Sequence, residues 1–394
     1  MREVLLVLNA GSSSLKFAVY PDQPGDRPPI LRGKIAGIGN RAVLSARGED
    51  GRALPRGQLF PVAPDVGHDR LIPALLDWIR AWQGGLSLAA AGHRVVHGGS
   101  RHHGPARITD DLLAELDTLK PLAPLHQPHN LAAIRIVAAA VPGLPQVACF
   151  DTSFHRTQSR LAQLFALPRA MAEDGVLRYG FHGLSYEYIA SALPGLLGER
   201  AEGRVIVAHL GNGASACAMR NRRSAATSMG FTALDGLMMG RRCGALDPGV
   251  VLYLMEQKRM TAEQIGHLLY DESGLLGVSG ISNDMAVLQA SETPEAREAI
   301  ALFCYRAATE MAALATAIGG LDALVFTAGI GENSARVRQG ICEHLGWMGV
   351  TLDPAANAAN ATRIAASDSA VEALVIPTNE EAVIARAVRS LTAG

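Results

Sequence analysis

Short, mostly apolar runs punctuate the chain at Val4–Leu8, Lys16–Tyr20, Gln146–Phe150, Val205–His209, Ala323–Thr327 and Leu374–Pro377. Runs of this length, bounded by Gly, Ser, Asn or Asp, predict strands. Between several of them the apolar positions recur at helical spacing. Leu112, Leu113, Leu116 and Leu119 repeat behind Thr109, a ready N-cap. Thr261-Ala-Glu-Gln264 has the form of a capping box ahead of Ile265, Leu268 and Leu269. Thr293-Pro294 opens a long pattern through Ile300, Phe303, Ala307, Met311 and Leu314, which Gly319-Gly320 stops. The longest near-apolar run, Met311–Ile330, is broken by Gly319, Gly320 and Asp322. A buried helix, a turn and a strand account for it better than a membrane span. Strands and helices in this alternation predict an α/β architecture. The segment Pro21–Pro29, dense in Pro, Asp and Gly, reads as a surface loop.

One internal likeness spans the chain. LLVLNAGSSSLKFAVY near the start reads strand, small-residue turn, strand, and VIVAHLGNGASACAM some 200 residues later reads the same way. Both turns have the small residues that a hairpin approaching a phosphate chain needs. Two explanations stay open: a pair of ordinary glycine hairpins, or two related lobes each offering a hairpin to one nucleotide in a cleft between them.

Length and composition narrow the function classes. At 394 residues with 48% hydrophobic and 19% charged, the chain can bury a sizeable core and exceeds one typical domain. Lys+Arg 36 against Asp+Glu 37 leaves a net charge of −1, so there is no electrostatic footprint for nucleic acid or an anionic membrane. Any bound anion must therefore be held by local geometry. The five cysteines (Cys149, Cys217, Cys243, Cys304, Cys342) are scattered and lack C-x-x-C spacing. That argues against a disulfide framework or structural zinc, and for a reducing, cytoplasmic setting. Val4–Leu8 is also too short for a signal-peptide core.

The first turn, Asn9-Ala-Gly11-Ser12-Ser13-Ser14-Leu-Lys16, presents hydroxyls, backbone N–H groups and a cation to an anion, although no Walker A pattern occurs. The amide oxygen of Asn9 suits a hydrated Mg²⁺ ion. Four segments mix charge or imidazole with glycine: His93–Gly99, Cys149–His155, Arg178–Gly183 and Met238–Gly244. They supply Arg94, Asp151, His182 and Arg242. Guanidiniums, a carboxylate, an imidazole and phosphate turns are the equipment of phosphoryl transfer. Phe326–Asn333 reads as a strand entering a glycine loop and a helix. In Val375–Glu381, Thr378 as N-cap would place Glu381 at N3 to close a capping box, leaving Glu380 to face a metal.

With these motifs in place, the chain resembles the acetate/propionate kinase family, within the sugar kinase, Hsp70 and actin superfamily. NAGSSSLKF, HRVVHGG, APLHQP, FDTSFH, RYGFHGLS, HLGNGAS, TSMGFTALDGLMMG, FTAGIGEN and IPTNEE stand in the family's order over essentially the whole chain. The resemblance implies two actin-like (ribonuclease H-like) α/β lobes around a nucleotide cleft. Residues 1–152 with 381–394 would form the acyl and phosphate lobe, and 153–380 the nucleotide lobe. It implies Mg²⁺-dependent (Mn²⁺ able to substitute), reversible phosphoryl transfer from ATP to acetate in a cytoplasmic homodimer. Propionate or butyrate kinase is the alternative, and a nucleotide-switch protein on the same fold a more distant one.

The implied roles fall on individual residues. Asn9 and Glu380 would hold the metal, and Ser12, Ser14 and Lys16 would line the phosphate site. Arg94 and Arg242 would clamp the carboxylate and the phosphoryl group. Asp151 would be the active-site carboxylate, His182 would hydrogen-bond the transition state, and His126 would be a phosphate-side donor. His209, Leu210, Gly211, Asn212, Gly213, Asp284, Met285, Ala286, Gly329, Ile330, Gly331, Glu332 and Asn333 would surround the nucleotide. Val96, Leu125, Phe181 and Ala233 would receive the acyl methyl. The chain departs from the family at Arg241-Arg242-Cys243-Gly244-Ala245, usually Thr-Arg-Ser-Gly-Asp, and at Tyr186, usually His. Ala226, Ala233 and Ala286 replace the usual Asp, Pro and Arg. These changes bear on nucleotide affinity and acyl-chain choice.

Overall fold

A computed structural model describes residues 2–393 except 24, 26, 56, 58, 64 and 125. The chain divides into two compact units, Met1–Ser153 with Asn379–Gly394, and Phe154–Thr378. The described residues of the first unit form a sheet of β1 (Arg2–Ala10), β2 (Ser14–Pro21), β3 (Leu31–Ala36), β4 (Val43–Gly48), β5 (Leu86–Val95), β6 (Ala106–Arg107) and β7 (Gln146–Phe150). The order is β4-β3-β2-β1-β5-β7-β6. Its helices are α1 (His68–Ala81), α2 (Asp110–Thr118), α3 (Gln127–Ala140) and, from the chain's end, α15 (Glu380–Thr392).

One face of this sheet packs Val4, Leu6, Leu8, Phe17 and Val19 against Leu71, Ile72, Leu75 and Ile79 of α1. The other face receives α15. Gly92 of β5 is required there, because a Cβ would stand 2.5 Å from Ile384 and 2.6 Å from Val388. Covering both faces explains why the central strands are continuous apolar runs rather than alternating ones.

The second unit carries β8 (Arg204–Leu210), β9 (Ala214–Arg220), β10 (Arg223–Thr227), β11 (Ala323–Thr327) and β12 (Glu372–Val375). Its helices are α4 (Arg160–Gln163), α5 (Arg169–Glu173), α6 (Gly183–Leu197), α7 (Pro248–Glu256), α8 (Ala262–Asp271), α9 (Gly274–Ser279), α10 (Met285–Ala290), α11 (Pro294–Ile318), α12 (Ala328–Asn333), α13 (Ala335–His344) and α14 (Pro354–Ala358). Ile189, Leu193 and Leu197 of α6 pack on Val205, Val207, Met219 and Val325. Among the described residues, no helix is long and apolar enough to cross a membrane.

The two sheets share a topology. β3-β2-β1 pair antiparallel and β1-β5-β7 parallel, while β10-β9-β8 pair antiparallel and β8-β11-β12 parallel. The two glycine-rich hairpins open equivalent sheets, so they are related structural parts and not incidental turns. Asn9-Ala-Gly11 and His209-Leu-Gly211 occupy matching positions in them. Thr109, Thr261 and Thr293 cap their helices, and Gln264 closes the capping box. The last strand stops two residues short of the expected Pro377: Ile376 N–H still donates to Phe326 O at 3.0 Å, and proline cannot continue the ladder.

Candidate active site

In the first unit, charged groups collect where β1, β5 and β7 end. Asn9 pairs with Lys16 across the hairpin, so both side chains share a sheet face. Gly11 N–H donates to Ser14 O at 2.8 Å to close the turn, which leaves Ser12 and Lys16 exposed and Ser14 half-buried. Asp151 follows β7 directly, its N–H bonded to Val95 O at 3.1 Å. Arg94 donates from Nε to both Asp151 oxygens at 3.0 and 3.1 Å, and from Nη2 to Oδ2 at 2.5 Å. Its Nη1 reaches Asn9 Oδ1 at 3.3 Å. Burial alone would lower the Arg94 guanidinium, but Asp151 and then Glu380 outweigh it and hold the group above its ordinary value. Arg94 is thus a permanent, pre-aimed cation, and Asp151, 1% exposed, is the group that aims it.

The C-terminal helix corrects one expectation. Asn379, not Thr378, is the N-cap of α15: its Oδ1 accepts from Ala382 N–H at 3.2 Å and from Arg32 Nη2 at 3.1 Å. Glu380 and Glu381 are therefore N1 and N2, and the proposed Thr378–Glu381 capping box does not exist. Thr378 belongs to the second unit, where its hydroxyl accepts from Ser185 Oγ at 3.0 Å.

In the second unit His182, at φ 58°, occupies the N-cap position of α6 without a side-chain capping bond and stacks on His209 with centroids 4.2 Å apart. His182 Nδ1 lies 2.8 Å from Ser215 Oγ, which lies 2.5 Å from the buried Tyr186 hydroxyl. Burial holds the Tyr186 hydroxyl well above its ordinary value, so it stays protonated. Tyr186, Ser215 and His182 Nδ1 thus form a hydrogen-bonded chain that orients the ring. A Cβ at Gly213 would stand 3.5 Å from His182 Nε2 and 3.9 Å from Arg242 Nη1, so both side chains flank the hairpin glycine. Arg242 Nη1 also donates to Ala233 O at 3.0 Å. Its neighbour Arg241 is exposed.

Gly211, Asn212, Asp284, Met285, Ala286, Gly329, Ile330 and Asn333 line one cleft of about 340 Å³. Asn283, Gln289 and Ser334 complete it, and sequence reasoning missed all three. Of the other residues expected around the nucleotide, Leu210 and Gly331 are buried, and the His209 ring is bonded to Ser185 Oγ at 2.8 Å. Glu332 Oε1 accepts from Ala328 N–H at 2.8 Å and Thr378 N–H at 3.1 Å, a structural use of that carboxylate.

Of the residues expected around the acyl methyl, Val96 is buried in the first unit. Phe181 (buried) and Ala233 (half-buried) belong to the second, and Leu125 lies outside the described residues. His126 is the N-cap residue of α3. Two further imidazoles from the singled-out segments are core residues. His93 bonds Gln146 Oε1 at 2.7 Å; His155 bonds Ser224 Oγ and Phe181 O, each at 2.9 Å. Burial pushes both down to about 4.

The profile of the acetokinase family matches residues 4–386. The chain belongs to the acetokinase family. It is 55% identical over 404 residues to an acetate kinase of Rhodopseudomonas palustris strain CGA009, covering 100% of both chains. It is 48% identical over 387 residues to an acetate kinase of Rhizobium meliloti, covering 98% of this chain and 97% of that one. Among solved structures it resembles a Porphyromonas gingivalis acetate kinase (TM-score 0.87, 34% identity, 99% of each chain). It also resembles a Francisella tularensis propionate kinase (TM-score 0.90, 34% identity, 98% of each chain). The fold is thus the pair of actin-like α/β lobes of these kinases, and the chain is an ATP-using kinase of this family.

Proposed function

We propose that the chain transfers the γ-phosphoryl group of ATP reversibly to acetate, giving acetyl phosphate and ADP. The observation that carries this reading is the end-to-end family match, and the resemblance assigns Arg94, Asp151, His182 and Arg242 to the chemistry. In this reading the first unit serves the acyl and phosphate side and the second the nucleotide. A carboxylate oxygen is already a competent nucleophile, so no general base is needed. Arg94, aimed by Asp151, holds the acetate carboxylate. Arg242 and the His182 ring meet the phosphoryl oxygens, and the cleft of Asn212, Asp284 and Gly329 takes the nucleoside. Positioning and charge neutralisation supply the catalysis.

The donor set fits Mg²⁺: the Asn9 amide oxygen and Glu380 carboxylate are hard oxygen ligands, and both act on the same guanidinium. Bound there, the ion would neutralise phosphate charge during transfer; Mn²⁺ has the same ligand preference. A cytoplasmic homodimer belongs to the same proposal. It is supported by five scattered cysteines without C-x-x-C spacing and by the exposed Leu252, Tyr253, Met255 and Tyr305. Propionate is a second reading, favoured by Ala233 in place of a rigid proline. Hydroxylamine trapping of acyl phosphate made from ATP with acetate, propionate or butyrate tests both. Trapped product with acetate supports the proposal, and ADP release that ignores every carboxylate overturns it.

A further inference from the structure

The start of α3 carries two buried amides three residues apart, and hence on one helix face. Asn130, 3% exposed, donates from Nδ2 to Ala10 O at 2.6 Å and accepts at Oδ1 from Val96 N–H at 3.0 Å. It therefore ties the end of β1, immediately after Asn9 and before the serine turn, to the segment leaving β5, two residues after Arg94. Gln127, fully buried, accepts from His97 N–H at 3.1 Å and donates to His97 O at 2.9 Å, which fixes the next residue on the same segment. Leu131 and Ile134 anchor the helix against Val95 and Phe150. Ala10 O and Val96 N–H lie at strand ends, where the ladder no longer serves them, and a single side chain serves both. An apolar residue of the same size would leave a buried donor and a buried acceptor unmade.

We propose that Asn130, with Gln127 beside it, is a positioning residue for the acid substrate, setting the spacing between the Asn9 turn and the Arg94–Val96 segment. This rests on the reading that Arg94 and Val96 receive the carboxylic acid. It predicts a defect that falls mainly on the acid, because the cleft residues assigned to the nucleoside belong to the other unit. Asn130→Ala should raise the acetate KM about tenfold, the equivalent of one lost buried hydrogen bond, and raise it several-fold more than the ATP KM. A merely structural loss would lower kcat through the folded fraction and leave both KM values in place.

The isosteric Asn130→Asp separates the two bonds and carries the test if the alanine variant does not fold. Its carboxylate still accepts from Val96 but faces the Ala10 carbonyl. The acetate KM should be raised at about pH 8 and fall back toward wild type by about pH 6, as a protonated carboxyl regains the donor. Val96→Ala is the control for the underlying reading. If it leaves acetate KM unmoved, the assignment of Val96 to the substrate fails. If it moves acetate KM while Asn130→Ala does not, or if the aspartate variant shows a flat KM profile, the positioning role is overturned.

Discussion

At the residue scale, the two arginines differ in how they are held. Arg94 is gripped by the Asp151 carboxylate, whereas Arg242 donates to the Ala233 carbonyl at 3.0 Å and to the Met239 sulfur at 3.7 Å. In the proposed reaction its charge meets the phosphoryl oxygens as transfer develops. Arg242→Ala should therefore lower kcat by roughly 3–4 kcal/mol of transition-state stabilisation while barely changing ADP binding. Steady-state rates beside an ADP titration check this; an equal loss of nucleotide affinity with kcat intact would contradict it. Arg241→Ala should be mild, since that side chain is exposed. Ala233 bears on chain length. Placing proline there should lower the propionate-to-acetate ratio of kcat/KM a few-fold, consistent with about 0.8 kcal/mol per methylene. An unchanged ratio would remove Ala233 from the acyl pocket.

Elements were legible in the sequence wherever local chemistry and burial agreed. Thr261 with Gln264, and Thr293-Pro294 with Gly319, mark their helices by short-range bonds that sequence spacing reveals. Thr378-Asn379-Glu380-Glu381 offers two adjacent cap residues, and local rules cannot choose between them. Long-range partners decide: Arg32 and Tyr20 take Asn379, and Ser185 takes Thr378. Asn379→Ala should then cost about 0.5–2 kcal/mol in a thermal or urea melt, with Glu381→Gln near neutral. The reverse ranking would restore the discarded cap. Glu380→Gln should shift the magnesium dependence of activity upward, and an unshifted titration would remove Glu380 from the metal site. The Ser215–Tyr186 support of His182 and the Asn130 bridge were not legible, because their partners lie 29 to 120 residues apart and form only in the fold.

Across the whole molecule, the repeated sheet topology was foreshadowed by the two glycine hairpins, and the residues buried at both faces gave the strands away. Two core imidazoles couple stability to pH. His93 and His155 sit near 4 in the fold against about 6.5 in an unfolded chain, so the unfolded state binds more protons between those values. Their contribution is complete above about pH 6.5 and is lost as pH falls toward 4. Urea midpoints should decline over that window, and His93→Gln should flatten the slope; an unchanged slope would contradict the neutral-core assignment.

The central claim is a reversible transfer between ATP and a small carboxylate by this one chain. Phosphorus NMR of the wild-type protein with ATP, Mg²⁺ and acetate tests it most directly. The account predicts an acetyl phosphate resonance growing in step with ADP, and ATP regenerated when acetyl phosphate and ADP are supplied instead. Formation of ADP and inorganic phosphate alone, at a rate indifferent to acetate, would contradict it.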